Sequence, residues 1–209
     1  MTTALRNATD VMTLGPVIPV VVIDDASLAP DLARALLAGG VTTMEITLRT
    51  PAAIEAITAV AAQVPDMVVG AGTVTTADAI ARSVAAGAQF LVSPGATTAL
   101  LDAAASASVP LLPGAVTATE IMNLAERGIT EMKFFPAATS GGASAIKALS
   151  GPFPDIRFCP TGGIGPADAP QYLSLPNVLC VGGSWLTPAH LVAAHDWTAI
   201  TELARAATS

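Results

Sequence analysis

The chain repeats one pattern eight times: a short apolar segment of strand length followed by a segment of helical composition. The apolar segments lie at residues 17–23, 42–47, 67–71, 89–93, 109–113, 130–135, 156–159 and 178–181. Glycines end several of the helical segments, as Gly39 and Gly40 do after the first and Gly128 after the fifth. Strands that alternate with helices predict a parallel sheet, because a parallel connection needs a crossover long enough to hold a helix.

The number of repeats favours a closed barrel. Eight strand–helix units in 209 residues predict one α/β domain over residues 1–209, a (β/α)8 TIM barrel. Residues 1–15 would form an additional N-terminal helical extension. A doubly wound open sheet is the alternative, although such sheets usually have fewer strands.

Composition limits the classes of partner. Hydrophobic residues make up 52% and charged residues 12% of the chain, and the mean hydropathy is +0.62. No apolar run reaches the ~20 residues of a transmembrane helix, so no membrane partner is expected. The net charge of −7 argues against nucleic acid, which selects basic patches. No signal peptide is recognised, and a cytoplasmic location is expected.

One lysine has an unusual position. Lys133 is one of two lysines and lies in the apolar sixth segment, directly before Phe134 and Phe135. A lysine removed from water has a lowered pKa, and its free amine can attack a carbonyl to form a Schiff base. The alternative is a strand-end lysine whose flexible stem reaches solvent. The other lysine, Lys147, lies in a predicted helix and is expected to be solvated.

Polar residues occur near the ends of the second and third strands, where a TIM barrel holds its active site. Glu45, Thr47 and Arg49 share one face if the extended conformation continues to Arg49. A buried Glu45 near an amine suits proton transfer, whereas an ion pair with Arg49 is the structural alternative. The planar guanidinium of Arg49 can bind a substrate carboxylate through two hydrogen bonds. The alternative is an arginine on the surface with no such role. Thr73 can donate to the same carboxylate, or Thr73 or Thr75 can cap the next helix.

Glycine pairs follow the last two predicted strands. Gly162 and Gly163 come after the seventh strand, and Gly182 and Gly183 come after the eighth, followed by Ser184. Without side chains, glycines let backbone N–H groups approach a ligand closely. The ends of the last two strands are the usual phosphate position in such barrels. A phosphate site is therefore predicted here, although tight turns also need glycine.

A metal site is not predicted. His190 and His195 are the two histidines, and both lie in the C-terminal segment away from the predicted strand ends. Metal catalysis would need several histidine and carboxylate ligands. Cys159 and Cys180 occupy similar positions on neighbouring strands, and two thiols in a chain of this size indicate reduced core cysteines.

Several segments together resemble one enzyme family. They lie at residues 39–41, 45–50, 69–74, 93–95, 133–137 (KFFPA), 157–164 (RFCPTGGI) and 182–185 (GGSW). Through them the chain resembles the class I aldolases of 2-keto-3-deoxy-6-phosphogluconate (KDPG) and 4-hydroxy-2-oxoglutarate (KHG). The resemblance runs from residue 17 to residue 185. It departs at residues 137–140, where an acidic residue is expected after the first alanine.

The resemblance implies a role for each candidate residue. Lys133 would form the Schiff base, and Glu45 would act as general acid and base. Arg49 and Thr73 would hold the substrate carboxylate. The phosphate would bind at Gly162, Gly163, Gly182, Gly183 and Ser184, and the pocket would be lined by Pro94, Phe135 and Thr161.

Substrates and partners also follow from the resemblance. The expected reaction, in the Entner–Doudoroff pathway, cleaves KDPG to pyruvate and D-glyceraldehyde 3-phosphate. The same enzyme is expected to cleave KHG to pyruvate and glyoxylate as a second activity. The expected partners are a small 2-keto acid and an aldehyde phosphate, and the expected assembly is a homotrimer. No metal or other cofactor is expected, because the covalent imine through Lys133 activates the substrate.

Three alternatives remain open from the sequence. One is an aldolase mainly for unphosphorylated KHG, or for the 6-phosphogalactonate analogue. Another is a different phosphate-binding barrel, an isomerase or decarboxylase, which would form no imine for borohydride to trap. The third is a non-catalytic oligomeric barrel scaffold, which leaves the polar residues at the strand ends unexplained.

Overall fold

Each predicted apolar segment overlaps one strand in the computed structural model, which describes residues 5–208. The strands are β1 (Val17–Val21), β2 (Thr43–Thr47), β3 (Val68–Gly72), β4 (Leu91–Val92), β5 (Leu111–Leu112 and Gly114–Ala115), β6 (Glu131–Phe134), β7 (Arg157–Pro160) and β8 (Val181–Gly183). Pro113 interrupts β5, because proline has no N–H to donate to the ladder. β8 starts later than predicted, so Gly182 and Gly183 lie within the strand rather than after it.

The strands pair in chain order and close on themselves. Parallel pairing runs from β1 through β2, β3, β4, β5 and β6 to β7. β8 pairs with β1, where Val17 is the partner of Val181. An isolated bridge between Thr161 and Gly182 joins the end of β7 to β8. The (β/α)8 TIM barrel is therefore confirmed, and the open doubly wound sheet is wrong.

The helices that follow the strands form the outer layer, and one short helix precedes the first strand. They are α1 (Ala8–Met12), α2 (Ala29–Ala38), α3 (Ala53–Gln63), α4 (Ala77–Ala85), α5 (Thr98–Ala105), α6 (Ala118–Ala125), α7 (Gly142–Leu149), α8 (Ala169–Leu173), α9 (Ala189–Ala193) and α10 (Trp197–Thr208). Contact between the last and first barrel helices completes the layer, because Thr201 of α10 donates to the carbonyl of Ala35 in α2 at 2.9 Å. No helix within residues 5–208 has both the length and the apolar character needed to cross a membrane.

Alternation along the strands produces two apolar cores. Met44 and Ile46 of β2 belong to the large core between strands and helices. Ile18, Phe90 and Leu112 belong to a smaller cluster inside the barrel. The bulky members of this second cluster fill the N-terminal half of the barrel, because they come from the early parts of their strands.

The N-terminal helix closes the bottom of the barrel. Val11 and Met12 of α1 are buried in the interior cluster, and the Thr9 hydroxyl donates to the Glu131 carboxylate at 2.5 Å. Asn7 caps the helix by accepting from the N–H of Asp10 at 2.9 Å. Part of the extension predicted for residues 1–15 is thus a short helix with a structural role. Residues 1–4 lie outside the described residues.

Candidate active site

Two charged side chains meet inside the barrel. Lys133 comes from β6 and Glu45 from β2, and each side chain is only 4% exposed. The ammonium nitrogen Nζ of Lys133 lies 3.3 Å from Glu45 Oε1 and 5.3 Å from the ring centroid of Phe135. Such a pair satisfies each charge with the other, which burial requires. A lysine that reaches solvent and an ion pair between Glu45 and Arg49 are therefore both wrong.

Glycines stand opposite both members of this pair on the neighbouring strands. Gly70 is the register partner of Glu45, and Gly114 is the register partner of Lys133. TIM barrel interiors are normally filled by layers of bulky side chains. A side chain on Gly70 would overlap the ring of Phe90, and one on Gly114 would overlap the backbone of Pro94. These glycines therefore let neighbouring groups pack closely against the two strands that carry Glu45 and Lys133.

Arg49 lies beyond the end of β2. The N–H of Arg49 donates to the Thr47 carbonyl at 2.8 Å in a tight turn, so the extended conformation does not continue to Arg49 as one prediction required. Its side chain still turns toward the third strand, because Nε donates to the Thr73 hydroxyl at 3.3 Å. The two residues predicted to hold a carboxylate are therefore in contact.

Thr73 has an unusual backbone conformation. Its φ angle is +60°, in the left-handed region that a β-branched residue rarely adopts. Helix α4 is capped instead by Thr76, whose hydroxyl accepts from the Ala79 N–H at 3.1 Å. The alternative that Thr73 or Thr75 caps this helix is wrong, and the left-handed conformation of Thr73 is compatible with its contact to Arg49.

A cavity of about 270 Å³ lies at the C-terminal ends of the strands. It is lined by Val20, Val22, Arg49, Phe135, Thr161, Gly162, Gly163, Ile164, Gly182 and Ser184. Lys133 lies beneath it, against the ring of Phe135. Seven of the predicted site residues thus line one cavity, whereas Lys133, Glu45, Thr73, Pro94 and Gly183 are not in its lining. Val20 and Val22 were missed by sequence reasoning, although their alternate positions along the first strand were a usable signal.

The loop after β7 forms one wall of the cavity. Gly162 and Gly163 have φ angles of +100° and +73°, which glycine adopts without strain. The loop is held in place from β6, since the N–H of Ala138 donates to the Gly162 carbonyl at 3.0 Å. Two consecutive glycines here expose backbone groups to the cavity, as a phosphate site requires.

The glycine pair in β8 has two separate packing reasons. A side chain on Gly182 would overlap the side chain of Thr161, and one on Gly183 would overlap the ring of Trp185. Gly182 faces the cavity, whereas Gly183 faces the opposite side of the strand. The geometry therefore supports Gly182 and Ser184 as predicted phosphate contacts more directly than Gly183.

One buried free thiol lies beside the lysine, and a second one contacts the first. Cys159 is the register partner of Lys133 on β7, and Cys180 lies on the segment next to it. Hydrogen bonding to Cys180 lowers the pKa of Cys159 against the effect of burial, and the Lys133 ammonium lowers it further. The same contact and burial raise the pKa of Cys180 well above its usual value. Both are core residues as predicted, but the electrostatic contact of Cys159 with Lys133 had no local signal in the sequence.

The remaining polar candidates lie on the outer surface. Lys147 on α7 and His190 on α9 are exposed, and the ring of His195 stacks on that of Trp197 with 5.7 Å between centroids. Within residues 5–208 no group of three or more histidine, cysteine, aspartate or glutamate side chains is arranged to hold a metal ion.

The sequence matches a known protein family over most of its length. A family model for the KDPG and KHG aldolases matches residues 8–203. The chain belongs to this family. Membership agrees with the resemblance found in the sequence.

Individual relatives match over nearly their whole length. The 2-dehydro-3-deoxy-phosphogluconate aldolase of Pseudoalteromonas atlantica is 54% identical over 203 residues, which cover 97% of this chain and 94% of that protein. The solved KDPG aldolase of Legionella pneumophila, with pyruvate captured as a covalent carbinolamine, has a TM-score of 0.93 and 48% identity, covering 95% of this chain and 97% of that one. The solved enzyme of Zymomonas mobilis with 3-phosphoglycerate has a TM-score of 0.91 and 46% identity, covering 96% and 94%.

Proposed function

We propose that this chain is a class I aldolase that cleaves KDPG to pyruvate and D-glyceraldehyde 3-phosphate, and also cleaves KHG to pyruvate and glyoxylate. The observation that carries the proposal is the buried pair of Lys133 and Glu45, 3.3 Å apart beneath the cavity. A buried amine beside a carboxylate suits imine chemistry with proton transfer. Family membership supports the same reaction class.

Covalent activation begins at Lys133. Its uncharged amine attacks the C2 ketone of the substrate and forms a carbinolamine, which loses water to give a protonated imine. The positive imine nitrogen then withdraws electrons from the adjacent carbons. Because this group serves as the electron sink, the step needs no metal ion. The pyruvate carbinolamine in the Legionella pneumophila relative supports this route.

Carbon–carbon cleavage is assigned to Glu45. The carboxylate, directly or through one water, takes the proton of the C4 hydroxyl, and the C3–C4 electron pair moves toward the imine nitrogen. D-Glyceraldehyde 3-phosphate leaves and a pyruvate enamine remains. Protonation at C3 and hydrolysis of the imine release pyruvate and restore the Lys133 amine.

Substrate orientation is assigned to two groups at the cavity. Arg49 and Thr73, which are in contact at 3.3 Å, would hold the C1 carboxylate. Gly162, Gly163 and Ser184 would hold the phosphate through backbone N–H groups and the hydroxyl, with Gly182 between them. The Zymomonas mobilis relative solved with 3-phosphoglycerate supports a phosphate-bearing ligand in this family.

The proposal includes a homotrimer that works in the cytoplasm. A charged fraction of only 12% supports an assembly, because apolar surface tends to be covered by other subunits. Sedimentation equilibrium on the purified protein measures the subunit number directly.

Borohydride reduction in the presence of pyruvate tests the reaction. Reduction of the imine should add one pyruvate-derived mass to the protein, and peptide mapping should place it at Lys133. Because the chain has two lysines, Lys147→Met is a matched control that should keep the adduct, whereas Lys133→Met should lose it. No adduct, or an adduct at Lys147, would reject the assignment.

A further inference from the structure

The side chain of Glu45 lies across the bare α-carbon of Gly72. On β3, Gly70 is level with Glu45 and Gly72 is level with Thr47. The Glu45 side chain therefore leans toward the C-terminal end of the barrel and passes over Gly72. A β-carbon on Gly72 would lie 2.5 Å from both Cγ and Cδ of Glu45, and closer still to Oε1.

This overlap falls on the atom that contacts the lysine. Oε1 is the Glu45 atom that lies 3.3 Å from Lys133 Nζ. The Glu45 side chain has little space to move elsewhere, because it is only 4% exposed and interiors are close-packed. A methyl group at position 72 would thus have to displace the carboxylate from Lys133.

Backbone requirements do not explain a glycine at this position. Gly72 ends β3 and its φ angle lies outside the left-handed region. An alanine would fit the strand backbone, and the three atoms nearest to an added methyl group all belong to the Glu45 side chain. This separates Gly72 from Gly162 and Gly163, whose φ angles favour glycine by themselves.

We propose that Gly72 is a positioning residue, whose missing side chain sets the place of the Glu45 carboxylate relative to Lys133. The proposal rests on the proposed aldolase function. Gly72 acts through Glu45 and not on the substrate, so it governs the proton transfer of carbon–carbon cleavage. Imine formation by Lys133 depends on it far less.

The first test compares two alanine variants on the same face of β3. Gly72→Ala should lower kcat by about 10²-fold or more, which is the scale of general acid–base catalysis. KM should change by less than about threefold, and borohydride trapping of pyruvate should be kept. In the matched control Gly70→Ala, the added methyl group meets the ring of Phe90 and not Glu45. That control should lower the melting temperature and keep kcat within about threefold.

A double-mutant cycle then asks whether Gly72 acts through Glu45. Glu45→Ala removes the three atoms that the new methyl group would meet, so adding Gly72→Ala should change the residual kcat by less than about twofold. If Gly72→Ala alone fails to fold, the Glu45→Ala/Gly72→Ala double variant should fold as well as Glu45→Ala, which supports the same contact. The proposal would be overturned if Gly72→Ala and the double variant both failed to fold. It would also be overturned if the losses of kcat in the two single variants were additive, or if Gly72→Ala were fully active. A parent enzyme that traps no pyruvate would overturn the proposed function instead.

Discussion

Lys133 Nζ and Glu45 Oε1 are 3.3 Å apart although their residues stand on β6 and β2, on opposite sides of the barrel. Neither side chain would be stable here alone, because an unpaired buried charge costs several kcal/mol. The pair spans the buried interior of the barrel. Its position under the cavity links the stability of the barrel to the proposed chemistry.

Replacing Lys133 with methionine should remove activity and weaken the fold. The Glu45 carboxylate would remain buried without its partner, which costs about 3–5 kcal/mol of unfolding free energy. Urea denaturation measures this cost. Lys133→Met/Glu45→Gln is the control, and it should recover part of the lost stability because no uncompensated charge remains. Equal stability of the single and double variants would contradict a buried ion pair.

Glu45→Gln should separate imine formation from cleavage. The amide keeps the size of the side chain but cannot accept the C4 hydroxyl proton, so kcat should fall by about 10²–10⁴-fold. Borohydride trapping with pyruvate should still label Lys133. Steady-state kinetics measures kcat, and mass spectrometry measures the labelling of Lys133. An unchanged kcat would reject the acid–base role of Glu45.

Thr73→Gly should stabilise the protein while weakening substrate binding. The left-handed conformation of Thr73, with φ of +60°, costs about 1–3 kcal/mol in a residue with a side chain, and the greater freedom of unfolded glycine offsets about 1 kcal/mol of the gain. We expect a rise of about 1 kcal/mol in unfolding free energy and a rise of about tenfold in KM, since the hydroxyl is lost.

A control for this effect exists outside the site. His195 also has a positive φ angle, +55°, but it stacks on Trp197 at the surface. His195→Gly should leave KM unchanged. An unchanged KM in Thr73→Gly as well would argue against a carboxylate contact.

Ser184→Ala should discriminate between phosphorylated and unphosphorylated substrates. A hydrogen bond to a charged group contributes about 1.5–3 kcal/mol, so kcat/KM for KDPG should fall by about 10–100-fold. The value for KHG, which lacks the phosphate, should stay within about twofold and serves as the internal control. A similar fall in kcat/KM for both substrates would contradict a role of Ser184 in phosphate binding.

Glu120 should make the stability of the barrel depend on pH. Burial raises its pKa, but the N–H groups of Val116 and Thr117 and the Thr117 hydroxyl donate to its carboxylate, and the net pKa is lowered. The stabilising charge is therefore present above the unfolded pKa of about 4.3 and is lost as the pH falls through the lower folded pKa.

The matching experiment removes that charge. Glu120→Gln should lower unfolding free energy by up to about 1 kcal/mol at pH 7, as expected for a carboxylate at a helix N-terminus. The difference should decrease from pH 7 to pH 3, as the pH falls toward the lowered folded pKa of Glu120 and the carboxyl group takes up a proton. Glu126→Gln, at the other end of α6, is the control and should show no such loss. A difference that is the same at both pH values would contradict the assignment.

Much of the fold could be predicted because its signals are local. Apolar segments of strand length alternate with helical ones, and parallel closure follows from their number. The alternation of side chains along a strand also indicates which residues face inward, and it correctly places Glu45 and Thr47 on one face. Boundaries were less predictable, as with β8, because the pairing partner and not the segment itself decides where a strand begins.

The sequence by itself determined the barrel, the apolar setting of Lys133 and the clustering of glycines at the last two strands. The tertiary structure alone decided that Glu45 meets Lys133 instead of Arg49, that Gly183 faces Trp185 instead of the cavity, and that the Glu45 side chain lies across Gly72. The roles assigned to these residues stay predictions. The physical reason for the division is distance along the chain: periodicity fixes which way a side chain points, whereas contacts across a barrel depend on its closure and on the space that small residues leave inside it.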